Sequence, residues 1–235
     1  MAASPAGSPS LADAAYRRIR DDIVSCRLAP GQRLTERGLA DLTGFGMSPI
    51  RDALTRLDHE GLVRTLPRKG YQVTPLTLKS IDDLFTLWQI VGPEIARLGV
   101  RDATPEQHRL LVERFRELAA EVESPQQDEV PLRRTRIAAE AFGTLAEATR
   151  NDYLISMFRR LDSDLARIWA LAFQADTPVP EFTIDVRWLG VVERRDGDAA
   201  AAAVSASISD MHNHTLRVFS RWPSVAASEI TPLNA

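Results

Sequence analysis

The sequence predicts a mainly α protein: a winged helix-turn-helix with a two-stranded wing, followed by an all-α bundle of about six helices. Three observations predict it. Two short amphipathic segments flank a glycine-rich turn between residues 36 and 60. Two short strand-like runs then surround a basic turn. From Thr77 onward, apolar residues recur with helical spacing almost to the end of the chain.

Leu11, Ala15, Ile19 and Ile23 repeat every four residues and predict a first helix ending near Arg27. Pro30-Gly31 marks a turn. Thr35 is placed to cap a short helix from Glu36 to Leu42, with Leu39 and Leu42 facing inward. Thr43-Gly44-Phe45-Gly46 makes a tight connection. In the next helix Ser48 reads as the N-cap and Pro49 as the first helical residue, where a missing N–H costs nothing. Ile50, Ala53, Leu54 and Leu57 then form one apolar stripe, with Arg51 and Thr55 opening the opposite face and Arg56 flanking it. Gly61 sits where a helix end favours a left-handed residue. Two short helices joined through glycine, the second bearing cations and hydroxyls on its outer face, suit entry into a DNA major groove. Leu62 to Leu66 and Tyr71 to Thr74 read as strands around Pro67-Arg68-Lys69-Gly70. A hairpin tip with two cations is what a wing that grips phosphate requires.

In the second half Leu78, Ile81, Leu84, Phe85, Trp88 and Val91 make a long stripe, with a kink expected at Gly92-Pro93. Thr104-Pro105-Glu106-Gln107 is a capping box opening a helix to about Val122. Further helices are expected over 132–148, 151–174, 182–195 and 198–220. The domain plan is a disordered tail at 1–10, a DNA-binding domain at 11–75 and a linker at 76–81. An all-α ligand-binding and dimerisation domain at 82–222 and a tail at 223–235 complete it.

Composition narrows the function. The whole chain holds 29 Lys and Arg against 32 Asp and Glu, but residues 11–75 hold 11 against 8. Positive charge therefore concentrates on the half suited to nucleic acid. Residues 1–10 lack the basic and apolar stretches of a signal peptide, and no apolar run is long enough to span a membrane. A single cysteine, Cys26, excludes an internal disulfide and fits a cytoplasmic protein. Four histidines and no phosphate-cradling loop, nucleophile triad or zinc cluster argue against an enzyme.

The N-terminal motifs resemble the GntR family of bacterial transcription regulators. They are Leu28-Ala29-Pro30-Gly31-Gln32-Arg33-Leu34, Leu39-Ala40-Asp41-Leu42, Pro49-Ile50-Arg51-Asp52-Ala53-Leu54 and Glu60-Gly61-Leu62-Val63. The resemblance implies DNA contacts from Arg37, Ser48, Arg51, Lys69 and Gly70, to which the reading of the helix and wing adds Thr55 and Arg68. It departs at Gly46 and Met47, where Ser-Arg is usual; Met47 has no charge for phosphate and no donors for guanine. The second half resembles the FadR-type subfamily, whose bundle is called FCD. The resemblance rests on helix order, Ala103-Thr104-Pro105-Glu106-Gln107, Arg150-Asn151 and Asp196-Gly197-Asp198. Many such bundles hold a divalent metal through an Asp-x-x-x-His pair and two more histidines. Here Ala139 and Gly143 stand at the paired positions and Arg187 near the next, so the family's ligand positions are mostly lost; no cofactor is expected, with a divalent metal as the alternative. Trp88, Arg187, His212 and His214 remain as candidates to line a pocket for an organic acid, acyl derivative or other small metabolite. The partners implied are double-stranded operator DNA with an inverted repeat, the effector, and a second copy of the chain. An architectural DNA-binding dimer without an effector is the alternative.

Overall fold

The computed structural model describes residues 10–123, 130–174 and 187–220. The expected tails, Ser10 apart, lie outside these residues. Residues 10–77 with 166–174 make one compact unit, and 78–165 with 187–220 make another.

In the first unit α1 (Leu11–Val24) starts from Ser10, whose Oγ accepts from the Asp13 N–H at 3.1 Å. Ala15, Ile19 and Ile23 are fully buried, but Leu11 is exposed, so the inward stripe begins a turn later than its spacing suggested. The helix also stops short of Arg27. Cys26 adopts a left-handed φ of 56°, and the Leu28 N–H returns to the Asp22 carbonyl at 2.8 Å. β1 (Arg33–Leu34) precedes α2 (Glu36–Thr43), which Thr35 caps through the Gly38 N–H at 3.0 Å. Leu39 is buried, whereas Leu42 is exposed rather than inward.

α3 (Met47–His59) differs from expectation at its start. Gly46, not Ser48, is the N-cap, and Ser48 lies exposed within the first turn. Ile50, Ala53, Leu54 and Leu57 are all fully buried. The stripe stays buried whichever residue caps; Gly46 is itself a tolerated cap, and its carbonyl accepts from the Ile50 N–H at 3.3 Å, so the helix starts two residues earlier. Pro49 is tolerated because first-turn N–H groups have no intrahelical partner. At the other end the Leu62 N–H reaches the Leu57 carbonyl and the Gly61 N–H the Asp58 carbonyl, with Gly61 at φ 76°. This is a Schellman ending, as Gly61 suggested.

β2 (Val63–Leu66) and β3 (Gly70–Val73) form the wing, pairing Val63 with Val73 and Leu66 with Gly70. The sheet has three antiparallel strands rather than two, in the order β1-β3-β2, with Leu34 opposite Tyr71. Two residues carry no readable alternation, so β1 exists only because β3 offers it a free edge.

The second unit contains α4 (Leu78–Asp102), α5 (Pro105–Glu123), α6 (Val130–Ala148), α7 (Asp152–Gln174), α8 (Arg187–Glu193) and α9 (Gly197–Phe219). The end of α7 counts with the first unit. α4 packs on α9 and α6, and α5 on α6 and α8. α4 continues as one helix through Pro93. A Cβ at Gly99 would lie 2.5 Å from the Leu145 carbonyl oxygen, so glycine lets α4 and α6 approach through their backbones. The capping box of α5 is made, with Gln107 N–H to Thr104 Oγ1 at 3.2 Å and Thr104 N–H to Gln107 Oε1 at 3.0 Å. Of the helix expected over 182–195, residues 187–193 are observed, and 182–186 lie outside the described residues. No described helix is long and apolar enough to cross a membrane.

Candidate functional site

The outer face of α3 carries Met47, Ser48, Arg51 and Thr55, all exposed. Arg51 is held by Glu36 from the first turn of α2, with Nε and Nη2 donating to its two carboxylate oxygens at 3.1 and 2.9 Å. This fork hydrogen bond keeps the Glu36 carboxyl below the usual range and raises Arg51. Both groups stay in contact with solvent, so the pair orients the guanidinium without hiding it. The Thr55 hydroxyl donates back to the Arg51 carbonyl at 2.9 Å, which leaves its methyl group and lone pairs for an outside partner. Arg56 is captured instead: it pairs with Asp13 of α1 at 2.7 Å and lies 3.9 Å above the Tyr16 ring. The Tyr16 hydroxyl in turn donates to Glu60 at 2.8 Å. Arg56 thus fastens α1 to α3.

The wing stands against the same helix, since the Thr65 hydroxyl donates to Asp58 of α3 at 2.8 Å. At its tip the Lys69 N–H closes a turn on the Leu66 carbonyl, and Arg68 takes φ 63°. That position suits glycine, and a left-handed L-residue costs about 1–2 kcal/mol. A cation is nevertheless held there, exposed beside Lys69. Gly70 has φ 83°, and a Cβ on it would lie 2.6 Å from the Leu34 carbonyl oxygen. Its place in the site is therefore set first by the β1–β3 approach. Arg37 is exposed on α2, and among the described residues no ion pair engages Arg37, Arg68 or Lys69. Structure thus brings Ser48, Arg51 and Thr55 onto one helix face, with the wing cations on the hairpin docked to that helix. Sequence reading missed Glu36 as the partner of Arg51; fifteen positions apart, the two leave no periodic trace.

Three of the four bundle candidates, Trp88, His212 and His214, have side chains among the described residues. Trp88 is buried, with its ring 5.4 Å from Phe142 and 5.8 Å from Phe158. Phe115 stacks on Trp188 at 5.1 Å, and Phe142 meets Trp188 at 6.3 Å, so aromatic rings fill this interior. His212 stacks on Phe85 at 5.0 Å, with Nε2 2.9 Å from Asp82 Oδ1 of α4. His214 is half-buried two residues on, while the Arg187 side chain lies outside the described residues. A groove of about 290 Å3 opens between α6 and α7, lined by Ala139, Gly143, Ile155 and Phe158, with Arg136 and Arg159 and the acidic Glu140, Glu147 and Asp162 also contributing. Ala139 and Gly143 have no ligating atoms, and among the described residues no three His, Cys, Asp or Glu side chains converge. The residues present therefore do not fit a metal at those positions.

A winged helix-turn-helix with an exposed, cation-bearing second helix, joined in one chain to an all-α domain, defines the class of DNA-binding transcription regulators. The comparisons make it specific. Residues 11–73 match the model of bacterial regulatory proteins of the gntR family, and residues 83–210 match the FCD domain. The chain belongs to the FCD-containing members of the gntR family. It is 22% identical over 198 residues to the HTH-type transcriptional repressor RspR of Escherichia coli, covering 83% of this chain and 85% of that one. An uncharacterised regulator of Bacillus subtilis, YdhC, is 26% identical over 113 residues, but there the chain spans only half the relative's length. Among solved structures E. coli McbR/YncC shares the fold with a TM-score of 0.73 at 17% identity, over 90% of this chain and all of that one.

Proposed function

We propose that this regulator binds an inverted-repeat operator as a homodimer of the FadR type, with a small metabolite in the bundle modulating its affinity. The observation that carries the DNA-binding part is the disposition of α3: one face is fully buried, while Ser48, Arg51 and Thr55 stand exposed on the other. Arg51 reads a base edge, bidentate to guanine O6 and N7, with Ser48 and Thr55 beside it. Arg37, Arg68 and Lys69 neutralise phosphates and set the register. Two-fold symmetry of the protein then calls for two-fold symmetry of the operator.

The effector reading rests on the α6–α7 groove, whose small and aromatic lining suits the apolar part of a small metabolite such as an acyl derivative, with Arg136 and Arg159 set among the acidic Glu140, Glu147 and Asp162 as its polar groups. The aromatic filling behind it supports the second reading, an architectural dimer that needs no effector. Thermal shifts against a broad panel of organic acids separate the two, because a ligand that binds only the folded protein raises its midpoint.

Fluorescence anisotropy with the duplex upstream of the protein's own gene tests the DNA reading. Wild type is expected to bind saturably and Arg51→Ala to bind about ten- to a hundredfold more weakly. Equal binding by both dismisses the role of Arg51.

A further inference from the structure

Met47 is the residue of the recognition face that charge and hydrogen bonding leave unexplained. It opens α3, and the residue is 45% exposed although it is apolar. Arg51 and Thr55 follow at successive steps of four, so the three side chains form one outward row along the helix. Nothing but Gly46 precedes it in the cap, and a Cβ added there would meet only Pro49, at 3.9 Å. The helix start is therefore open to a large partner. A thioether has no donor and only a weak acceptor, so Met47 cannot read guanine or a phosphate. Its flexible, polarisable chain suits an apolar group, and the one methyl that an unmodified base edge offers in the major groove is the thymine 5-methyl.

We infer that Met47 is a specificity-determining residue that packs against a thymine methyl in each operator half-site. This rests on the DNA-binding reading above. Four residues of helix rise about 6 Å, so the thymine lies within about two base pairs of the guanine read by Arg51.

The test begins with selection of binding sites from a random duplex pool by the full chain. Each thymine of the enriched half-site is then replaced in turn by deoxyuridine, which removes only the methyl group. One replacement near the guanine is expected to weaken wild type about fourfold per half-site, the effect of losing one buried methyl. Met47→Ala should bind thymine and uracil duplexes alike, and Met47→Arg should enrich guanine at that position on reselection. Uniform binding of all uracil duplexes by wild type overturns the inference. So does methyl dependence that persists in Met47→Ala but vanishes in Thr55→Ser, which would move the contact to the Thr55 methyl. Failure to enrich any sequence is a different result, because it removes the operator reading itself. Met47 is exposed, and unchanged thermal midpoints of the variants confirm that each arm compares folded proteins.

Discussion

At the scale of single residues, burial and pairing decide which polar groups are structural. Asp22 is 3% exposed and accepts from Arg18 Nε at 2.8 Å and Arg27 Nε at 2.6 Å. Burial works to raise its carboxyl, but the two guanidinium hydrogen bonds outweigh that and hold it below the usual range. A depressed carboxyl contributes stability that is present above its unfolded pKa of about 3.9 and is lost as pH falls through the folded value. Asp22→Asn should therefore cost about 1–2 kcal/mol at pH 7, and the gap to wild type should close as pH falls below 4. Urea midpoints at pH 7 and pH 3 read both. Cys26 behaves in the opposite direction. Burial pushes its thiol up to about 11 against a smaller lowering by Arg167, and its Sγ donates to the Arg167 carbonyl at 3.5 Å. At pH 8 it should resist a thiol reagent in the native protein and react in step with unfolding, as denaturant titrations followed by labelling will show.

At the scale of elements, the wing separates stability from function. Arg68 occupies a left-handed position without glycine, so Arg68→Gly should hold or raise stability by up to about 1 kcal/mol. The same change should weaken DNA binding for every sequence alike, because a phosphate contact carries no base information. Gly70→Ala next door should do the reverse to the fold, destabilising it by more than about 1 kcal/mol through its φ and the Leu34 carbonyl. Thermal melts and anisotropy on the two variants decide both. Elements also show how far sequence reading reaches. The stripes of α1 and α3 and the ends at Thr35, Gly61 and Thr104 were legible, because helix period and caps are local. The start of α3 was not, since Gly46 and Ser48 are both acceptable caps and the same apolar stripe is buried from either. β1 and the capture of Arg56 by Asp13 and Tyr16 were illegible for another reason. Each is made by a partner dozens of positions away.

At the scale of the whole molecule, DNA binding depends on charge that the chain as a whole does not have. The net charge is −3, so attraction comes from local cations rather than from a general field. On the proposed reading, Arg37, Arg68 and Lys69 would supply three phosphate contacts per protomer and six per dimer. The logarithm of operator affinity should then fall against the logarithm of salt with a slope of about −5. A slope near −3 would mean that a single DNA-binding domain engages the duplex, and anisotropy over 50 to 300 mM KCl, on the order of physiological salt, measures it.

What the amino-acid order alone determined was the class: which segments are helical, which faces are apolar, and that cations gather on the N-terminal half. Those features follow from spacings of three to four residues and from composition, both readable along a line. Tertiary structure decided what each exposed group is free to do. Glu36 orients Arg51, Arg56 is lost to α1, and Trp88 fills the interior with Phe142 and Phe158 while the open space falls beside Ala139 and Gly143. Such outcomes depend on which distant side chains share a volume, and only the folded chain sets that.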